Sequence, residues 1–171
     1  MKIQVINRLY RLQIATGIAV ILFILSFGLN QFAYGAGTSS NTSTKSDSAA
    51  QKRARANEYF EEGKMLQEKW NYKQASQKYE RAVKIDPSYA EAYSNLGYTY
   101  RKQEQFDKAV RAYKKAIELD PQLAEAYEYL GEAYAEMGKF DLAEKQLAIL
   151  RQLKSDEAEK LYQFIEKMKK S

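Results

Sequence analysis

The sequence predicts an all-α protein, a solenoid of three similar helix pairs followed by a closing helix. The chain repeats itself every 34 residues from about 56 to about 157, and apolar residues within each copy recur at the spacing of a helix face. The only two prolines, Pro87 and Pro121, stand one period apart. One helix pair cannot bury both of its apolar faces alone, so we expect neighbouring copies to stack on one another.

Residues of the same kind stand at equivalent positions of each copy. The first helix carries a tyrosine and then a glycine, and the second begins with an aromatic residue followed by an alanine. These sets are Tyr59, Tyr93 and Tyr127; Gly63, Gly97 and Gly131; Tyr72, Phe106 and Phe140; and Ala75, Ala109 and Ala143. They place the three copies at residues 56–89, 90–123 and 124–157.

The second copy indicates where its two helices begin and end. Helix A is predicted at about 91–103 and helix B at about 107–119, with small residues, Gly97 and Ala109, where the two approach most closely. Helix B should end before Pro121, because the residue that precedes a proline disfavours the helical conformation.

Capping residues are predicted at the starts of both helices. Ser88 and Glu91 have the spacing of a capping box for helix A, and Asp107 is expected to cap helix B. The tyrosines at repeat positions are expected in the core. Trp70, in the first turn between helices, is expected to pack over that turn rather than to serve as a ligand platform.

The two ends of the repeat array differ from its middle. Glu62 replaces the leucine that stands at positions 96 and 130, as suits a first copy that no neighbour covers. The third copy lacks the closing proline. Residues 156–170 follow it and are predicted to form a capping helix with four apolar side chains on one face: Leu161, Phe164, Ile165 and Met168.

Residues 1–35 have the pattern of an export segment. Basic residues up to Arg11 precede a mostly apolar run from Ile14 to Leu29, and small residues then suit cleavage after Gly35. The alternative is an uncleaved signal anchor, because the 18 residues that end at Leu29 are near the lower limit for spanning a bilayer. In both cases the positive-inside rule places the repeats on the non-cytoplasmic side of the membrane.

Residues 36–55 are predicted to be a flexible linker, because serine and threonine dominate them up to Ser48 and no apolar periodicity is present. The basic residues Lys52, Arg53 and Arg55 indicate a solvated helix start rather than a patch for lipid or nucleic acid. The repeat domain then occupies residues 56–171.

Composition limits the chemistry of the chain. It contains no cysteine and no histidine, which removes disulfides, thiol nucleophiles, and the commonest general base and metal ligand. The formal charge is +5, but the third copy carries eight acidic against four basic side chains, whereas a nucleic-acid binder is expected to show a basic face. We therefore predict no enzyme activity, no cofactor, no metal site and no nucleic-acid partner.

The repeat positions resemble those of the tetratricopeptide repeat family, which has the same period. The resemblance covers residues 56–157 and implies a right-handed α-solenoid whose A helices line a concave groove for a peptide or helical segment of another protein. It implies no catalytic residues. Carried over by position, the partner-binding groove consists of Phe60, Lys64, Asn95, Tyr98, Arg101, Lys102, Glu125, Glu128, Tyr129, Glu132 and Glu136.

The predicted groove is acidic in its third copy. Glutamates at four positions share one helix face, and like charges at this spacing cost a few tenths of a kcal/mol per pair. Either a basic partner relieves this repulsion or the face is simply solvated; the central pair, Glu128 and Glu132, is expected to be exposed. The groove aromatics Phe60, Tyr98 and Tyr129 are either anchors for a partner or packing residues.

Chaperone-binding members of the family grip a C-terminal carboxylate with lysines, asparagines and an arginine. At the matching positions this chain has Phe60, Lys64, Asn95, Glu125 and Tyr129, of which only Asn95 agrees. Since Glu125 would repel a carboxylate, an acidic C-terminal tail is not the expected ligand.

The sequence thus predicts a non-catalytic protein-interaction scaffold, exported or membrane-anchored, that supports assembly of envelope or membrane protein complexes. Its partner is a peptide or helical segment of another protein, a basic one if the acidic face takes part in binding, and the N-terminal segment contacts the membrane if it stays uncleaved. The alternative is a structural homo-oligomer formed through the repeat surfaces. The solenoid fold itself does not name the partner.

Overall fold

The structure, a computed structural model, describes residues 48–171. Over these residues the chain forms seven helices: α1 (Ala49–Glu68), α2 (Tyr72–Ile85), α3 (Ala90–Lys102), α4 (Phe106–Leu119), α5 (Ala124–Glu136), α6 (Phe140–Gln152) and α7 (Glu157–Lys169). The first six pack as consecutive pairs, each pair packs on the next, and α7 packs against both α5 and α6. The predicted solenoid of three helix pairs with a capping helix is confirmed.

Glycine and tyrosine set the distance between the two helices of a pair. A Cβ atom added to Gly97 on α3 would lie 2.6 Å from Cε1 of Tyr113 on α4, and Gly63 faces Tyr79 in the same way at 2.7 Å. Both tyrosines are fully buried. The glycine therefore leaves the space that the tyrosine ring of the second helix fills, as expected from the small residue at position 97.

The turn inside each pair closes with a residue in the left-handed conformation. Trp70, Glu104 and Gly138 stand at equivalent positions with φ of 61°, 59° and 71°. The N–H of the following residue returns to the helix five positions back, as in Asn71 N–H to Leu66 O at 2.9 Å, which is the Schellman arrangement.

The prediction that Trp70 packs over its turn is wrong. Its side chain is 78% exposed and makes an edge contact with the ring of Tyr72, with ring centroids 6.4 Å apart. The reason is positional: residue 70 lies one step beyond the C-cap, where the backbone leaves the helix and the side chain no longer faces the partner helix.

Both Asp-Pro steps end the second helix of a pair, as predicted: Asp86 and Asp120 are extended C-caps. The predicted capping box of Ser88 and Glu91 is wrong. The Ser88 hydroxyl donates instead to the Asp86 carboxylate at 2.6 Å, and α3 begins without a side-chain cap. Asp107 likewise lies in the first turn of α4 and makes no capping hydrogen bond.

The predicted linker is too long, because α1 begins at Ala49. Ser48 and Gln51 form a capping box at this end, so residues 49–55 are helical. Arg53, expected to be merely solvated, binds the Asp86 carboxylate and lies 4.1 Å over the ring of Tyr89. These contacts join the first turns of α1 to the start of the second helix pair.

The first copy leaves its outer face uncovered, whereas α7 covers the last copy. In the first copy Glu58, Glu62 and Met65 occupy positions at which the second copy has the buried residues Ala92, Leu96 and Thr99. Met65 is 55% exposed. At the other end Leu161 and Ile165 of α7 are buried, which confirms the predicted capping face.

The predicted export segment, residues 1–35, lies outside the described residues. Within residues 48–171, none of the helices has the length and apolar character needed to cross a membrane.

Candidate partner-binding groove

The first helices of the pairs, α1, α3 and α5, carry all the predicted groove residues. Helix α3 packs on α5, and α5 packs on α7, so the capping helix continues this row of helices. We call the surface formed by the predicted residues of α1, α3 and α5 the groove face. Its side chains come from one face of each helix, because these positions recur at intervals of three and four residues.

Arg101 of α3 is the centre of an ion-pair network that crosses from the second copy to the third. Its guanidinium donates to Glu132 at 2.6 Å and to Glu136 at 2.7 Å. Arg101 is only 5% exposed. Burial opposes its charge, but Tyr113 and the two carboxylates outweigh this effect and raise the pKa of Arg101. Arg101 is therefore used within the chain rather than presented to a partner.

Two polar atoms of this network lack a hydrogen bond. Arg101 Nε and the Tyr113 hydroxyl are fully enclosed and unpaired among the described residues. Burial raises the pKa of Tyr113, and the nearby positive charge of Arg101 partly offsets this effect. Buried polar groups normally find a partner, and the pKa values of both residues reflect a direct side-chain interaction between the guanidinium and the hydroxyl.

A row of tyrosines runs from Tyr72 of α2 onto the groove face. Tyr72 contacts Tyr98 with ring centroids 6.2 Å apart, and Tyr98 contacts Tyr129 at 5.3 Å. All three are partly exposed. Lys102 is exposed, and its ammonium group lies 5.4 Å from the centre of the Tyr98 ring. The structure thus brings the predicted residues Tyr98, Lys102 and Tyr129 together.

Sequence reasoning missed Tyr72, which belongs to α2 and not to an A helix. The other two copies have phenylalanine, Phe106 and Phe140, at this position. The hydroxyl group of Tyr72 was therefore the one sequence signal that this side chain is partly exposed. Tyr113 is fully buried, and its ring also supports Tyr129 at a centroid distance of 6.1 Å.

The groove residues of the first copy are already engaged by their neighbours. Phe60 packs between Tyr79 and Tyr89, with ring centroids at 5.7 and 5.0 Å. Lys64 pairs with Glu61 at 3.2 Å. Of the two readings considered for Phe60, packing is therefore the one that its contacts favour.

The same holds for the amide of Asn95 in the second copy. It donates to the backbone oxygen of Glu91 at 3.0 Å, which is a contact within α3.

The acidic face of α5 is not the solvated stripe that one reading of the sequence described. Glu132 and Glu136 bind Arg101, and Glu128, expected to be exposed, is only 7% exposed. Burial and then Glu132 raise the pKa of Glu128 to about 7, although Lys160 of α7 acts in the opposite direction.

Glu125, one turn earlier on α5, has a raised pKa as well. The causes are burial, then Glu157 of α7 and Glu91 of α3, with Lys160 again opposing them. Burial between neighbouring helices, which the spacing of residues along one helix does not reveal, is the first cause at both Glu125 and Glu128.

Two open clefts lie away from these residues. One of about 480 Å³ is lined by Phe106, Arg111 and Met137 among others, and one of about 400 Å³ lies beside Gly138 and Leu142. Within residues 48–171, no cluster of acidic side chains has an arrangement that could hold a metal ion.

Comparison with known proteins agrees with this geometry. The family model described as TPR repeat matches residues 56–103 and 97–138. No curated protein matches the chain.

Solved structures share the fold. The TPR2B-domain:pHsp70 complex of yeast Sti1 is 26% identical with a TM-score of 0.65, covering 68% of this chain and 98% of that chain. MamA is 30% identical with a TM-score of 0.56, covering 58% of each chain. The second TPR of Spaghetti (RPAP3), bound to the HSP90 peptide SRMEEVD, is 24% identical with a TM-score of 0.58, covering 61% of this chain and 97% of that chain.

The period, the seven described helices, the family match and the shared fold lead to one conclusion. The repeat domain of this chain belongs to the tetratricopeptide repeat family.

Proposed function

We propose that this chain is a non-catalytic scaffold whose groove face holds a segment of another protein. The observation that carries the proposal is the row of partly exposed tyrosines, Tyr72, Tyr98 and Tyr129, with Lys102 exposed beside it. Large aromatic side chains fixed on rigid helices supply much contact area at little entropic cost, and they are enriched among binding hot spots. The peptide-bound states of similar solved structures support this kind of role.

The ligand class of those structures does not transfer with the fold. The peptide SRMEEVD in the RPAP3 structure has three acidic residues. Of the positions that would grip a carboxylate, Glu125 is an acid here, Lys64 is paired with Glu61, and Phe60 is packed between two tyrosines. An acidic C-terminal tail is therefore not the partner that we propose.

Site-specific photo-crosslinking in the host tests the scaffold function. A photo-reactive amino acid replaces Lys102 on the groove face and, as a matched control, Lys114, an exposed lysine of α4. A discrete heteromeric adduct from position 102, absent from position 114, is the expected result. Equal adducts from both positions, or none from either, would refute a groove-face scaffold.

We also propose that the chain is exported or anchored, with the repeats on the non-cytoplasmic side, where it supports assembly of envelope or membrane protein complexes. The support is the leader, with its basic start up to Arg11, its apolar run from Ile14 to Leu29 and its small residues before position 36. Protease added outside sealed spheroplasts should degrade the repeats and spare a cytoplasmic marker; protection of both would contradict export. The N-terminal residue of the purified protein then separates cleavage after Gly35 from anchoring.

The second candidate function is a homo-oligomer, which the exposed Met65 at the uncovered edge of the first copy favours. Glu58 and Glu62 at the same edge oppose end-on stacking, because charged side chains would be buried. Analytical ultracentrifugation at micromolar concentration distinguishes the two candidates: a scaffold for another protein sediments as a monomer, and a homo-oligomer does not.

A further inference from the structure

We propose, on the basis of the scaffold function above, that the groove face contains a cation subsite formed by Glu125, Glu128 and Tyr129. The partner segment would place a lysine or arginine side chain there. The inference goes beyond binding in general, because it states which chemistry the partner presents and where that side chain lies.

The first argument is the burial of Glu128 without a counter-charge. Only 7% of the surface of Glu128 is exposed, and among residues 48–171 it takes part in no ion pair or hydrogen bond. Buried carboxylates in proteins are ordinarily paired. Its carboxylate oxygens nevertheless keep some contact with solvent, because they are not among the fully enclosed polar atoms without a partner.

The second argument is an internal precedent on the same helix. Glu132 and Glu136 receive the guanidinium of Arg101, which also lies 5.5 Å from the ring centre of Tyr98 and 5.9 Å from that of Tyr129. The groove face therefore already accommodates one arginine between two carboxylates and tyrosine rings. Glu125 and Glu128 precede Tyr129 on the same helix and offer the same kinds of group about two turns earlier, without an arginine from this chain.

The third argument is the sign of the charges that surround the subsite. After burial, Glu157 of α7 raises the pKa of both carboxylates, Glu91 of α3 raises that of Glu125 and Glu132 of α5 raises that of Glu128. Lys160 of α7 opposes these effects at both, and a hydrogen bond from Tyr129 opposes them at Glu125. Lys160 is itself 3.9 Å from Glu157, and its side chain is 63% exposed. The negative charge thus exceeds what the chain supplies in cations, which favours a positive group from a partner and disfavours an anionic one.

Selection of peptides on the full-length chain tests this inference. The probes are displayed random 12-residue peptides, and the best binders are resynthesised with each arginine replaced by citrulline, its uncharged isostere. The variants are Glu125→Gln with Glu128→Gln, and the matched control is Glu118→Gln, an exposed carboxylate of α4. Since glutamine removes only charge at these positions, folding is retained and is verified by circular dichroism.

We expect the selected peptides to contain arginine or lysine. Their affinity should fall by about tenfold or more with citrulline or in the double variant, which is the size expected for a charge-assisted hydrogen bond. The Glu118→Gln control should bind normally. Binders that keep their affinity in the double variant would overturn the cation subsite and leave the scaffold function standing. No binder to the wild-type chain would overturn both.

Discussion

Replacement of Gly97 by alanine tests the packing on which the whole array depends. The new methyl carbon would lie 2.6 Å from Cε1 and 2.7 Å from Cδ1 of Tyr113, whereas carbon atoms in contact are separated by about 3.5–4.0 Å. The ring is fully buried and supports Tyr129, so it has no free space into which to move. The two helices must therefore separate, or the ring must leave its preferred rotamer.

The expected loss of stability follows from two opposing effects. Overpacking of a core costs about 1–3 kcal/mol, and a contact this short belongs in the upper part of that range. Alanine in place of glycine within a helix returns about 1 kcal/mol. We therefore expect Gly97→Ala to lower the free energy of unfolding by about 1–2 kcal/mol, and Gly97→Leu to lower it by about 3 kcal/mol or more.

Urea denaturation followed by far-ultraviolet circular dichroism measures this change. The control is the same substitution in a Tyr113→Leu background, since leucine stands at the equivalent position 147 of the third copy. The smaller side chain makes room, so the alanine should be neutral or stabilising there. An equal loss in both backgrounds, or no loss in the wild-type chain, would show that Gly97 does not set the helix spacing.

Three further predictions follow from individual side chains. Trp70→Gly should raise the free energy of unfolding by about 1 kcal/mol in thermal denaturation. The left-handed conformation strains a bulky residue, and the exposed indole ring makes few packing contacts that would be lost. A variant less stable than the wild-type chain would contradict this. Arg101→Met should cost about 3 kcal/mol in urea denaturation at pH 7, because it leaves Glu132 and Glu136 without their cation. Burial raises the pKa of Glu132, so the cost should shrink as the pH is lowered and this carboxylate takes up a proton; a loss independent of pH would argue against charge as the cause. The pKa of Glu128 is about 7 in the folded chain and 4.5 for the free side chain. Between these pH values the folded state holds a proton that the unfolded state has released. The stability that this proton contributes is therefore complete below pH 4.5 and is lost as the pH rises through 7. Glu128→Gln should therefore gain stability over the wild-type chain as the pH rises from 5 to 8, measured by chemical denaturation at each pH, and a constant difference would refute the raised pKa.

The helices were predictable because their determinants are local. In the second copy α3 and α4 begin and end within one residue of the predicted bounds, and the Asp-Pro steps end the helices as expected. The capping box of Ser88 and Glu91 failed for a non-local reason. Ser88 bonds to Asp86, which also receives Arg53 from 33 residues earlier, and no local pattern reveals that competition.

The groove was predictable as a set of positions but not in its chemistry. Helical spacing correctly placed Glu125, Glu128, Glu132 and Glu136 on α5. The family resemblance, carried over by position, put Tyr98 and Tyr129 on one surface, where their rings are in contact. Helical spacing did not reveal that Arg101 would neutralise two of these carboxylates, since that contact spans 35 residues to Glu136. Nor did it indicate that Glu157 and Lys160 of α7 would act on Glu128.

The sequence by itself determined the period, the helix pairs and the capping helix, because each depends on residue types at short, regular intervals. Only the tertiary structure decided which charges of the groove face are paired, which are buried and which stay available to a partner. The physical reason is that periodicity states which residues share a face of one helix, whereas burial and ion pairing depend on the side chains that the neighbouring helices bring to that face.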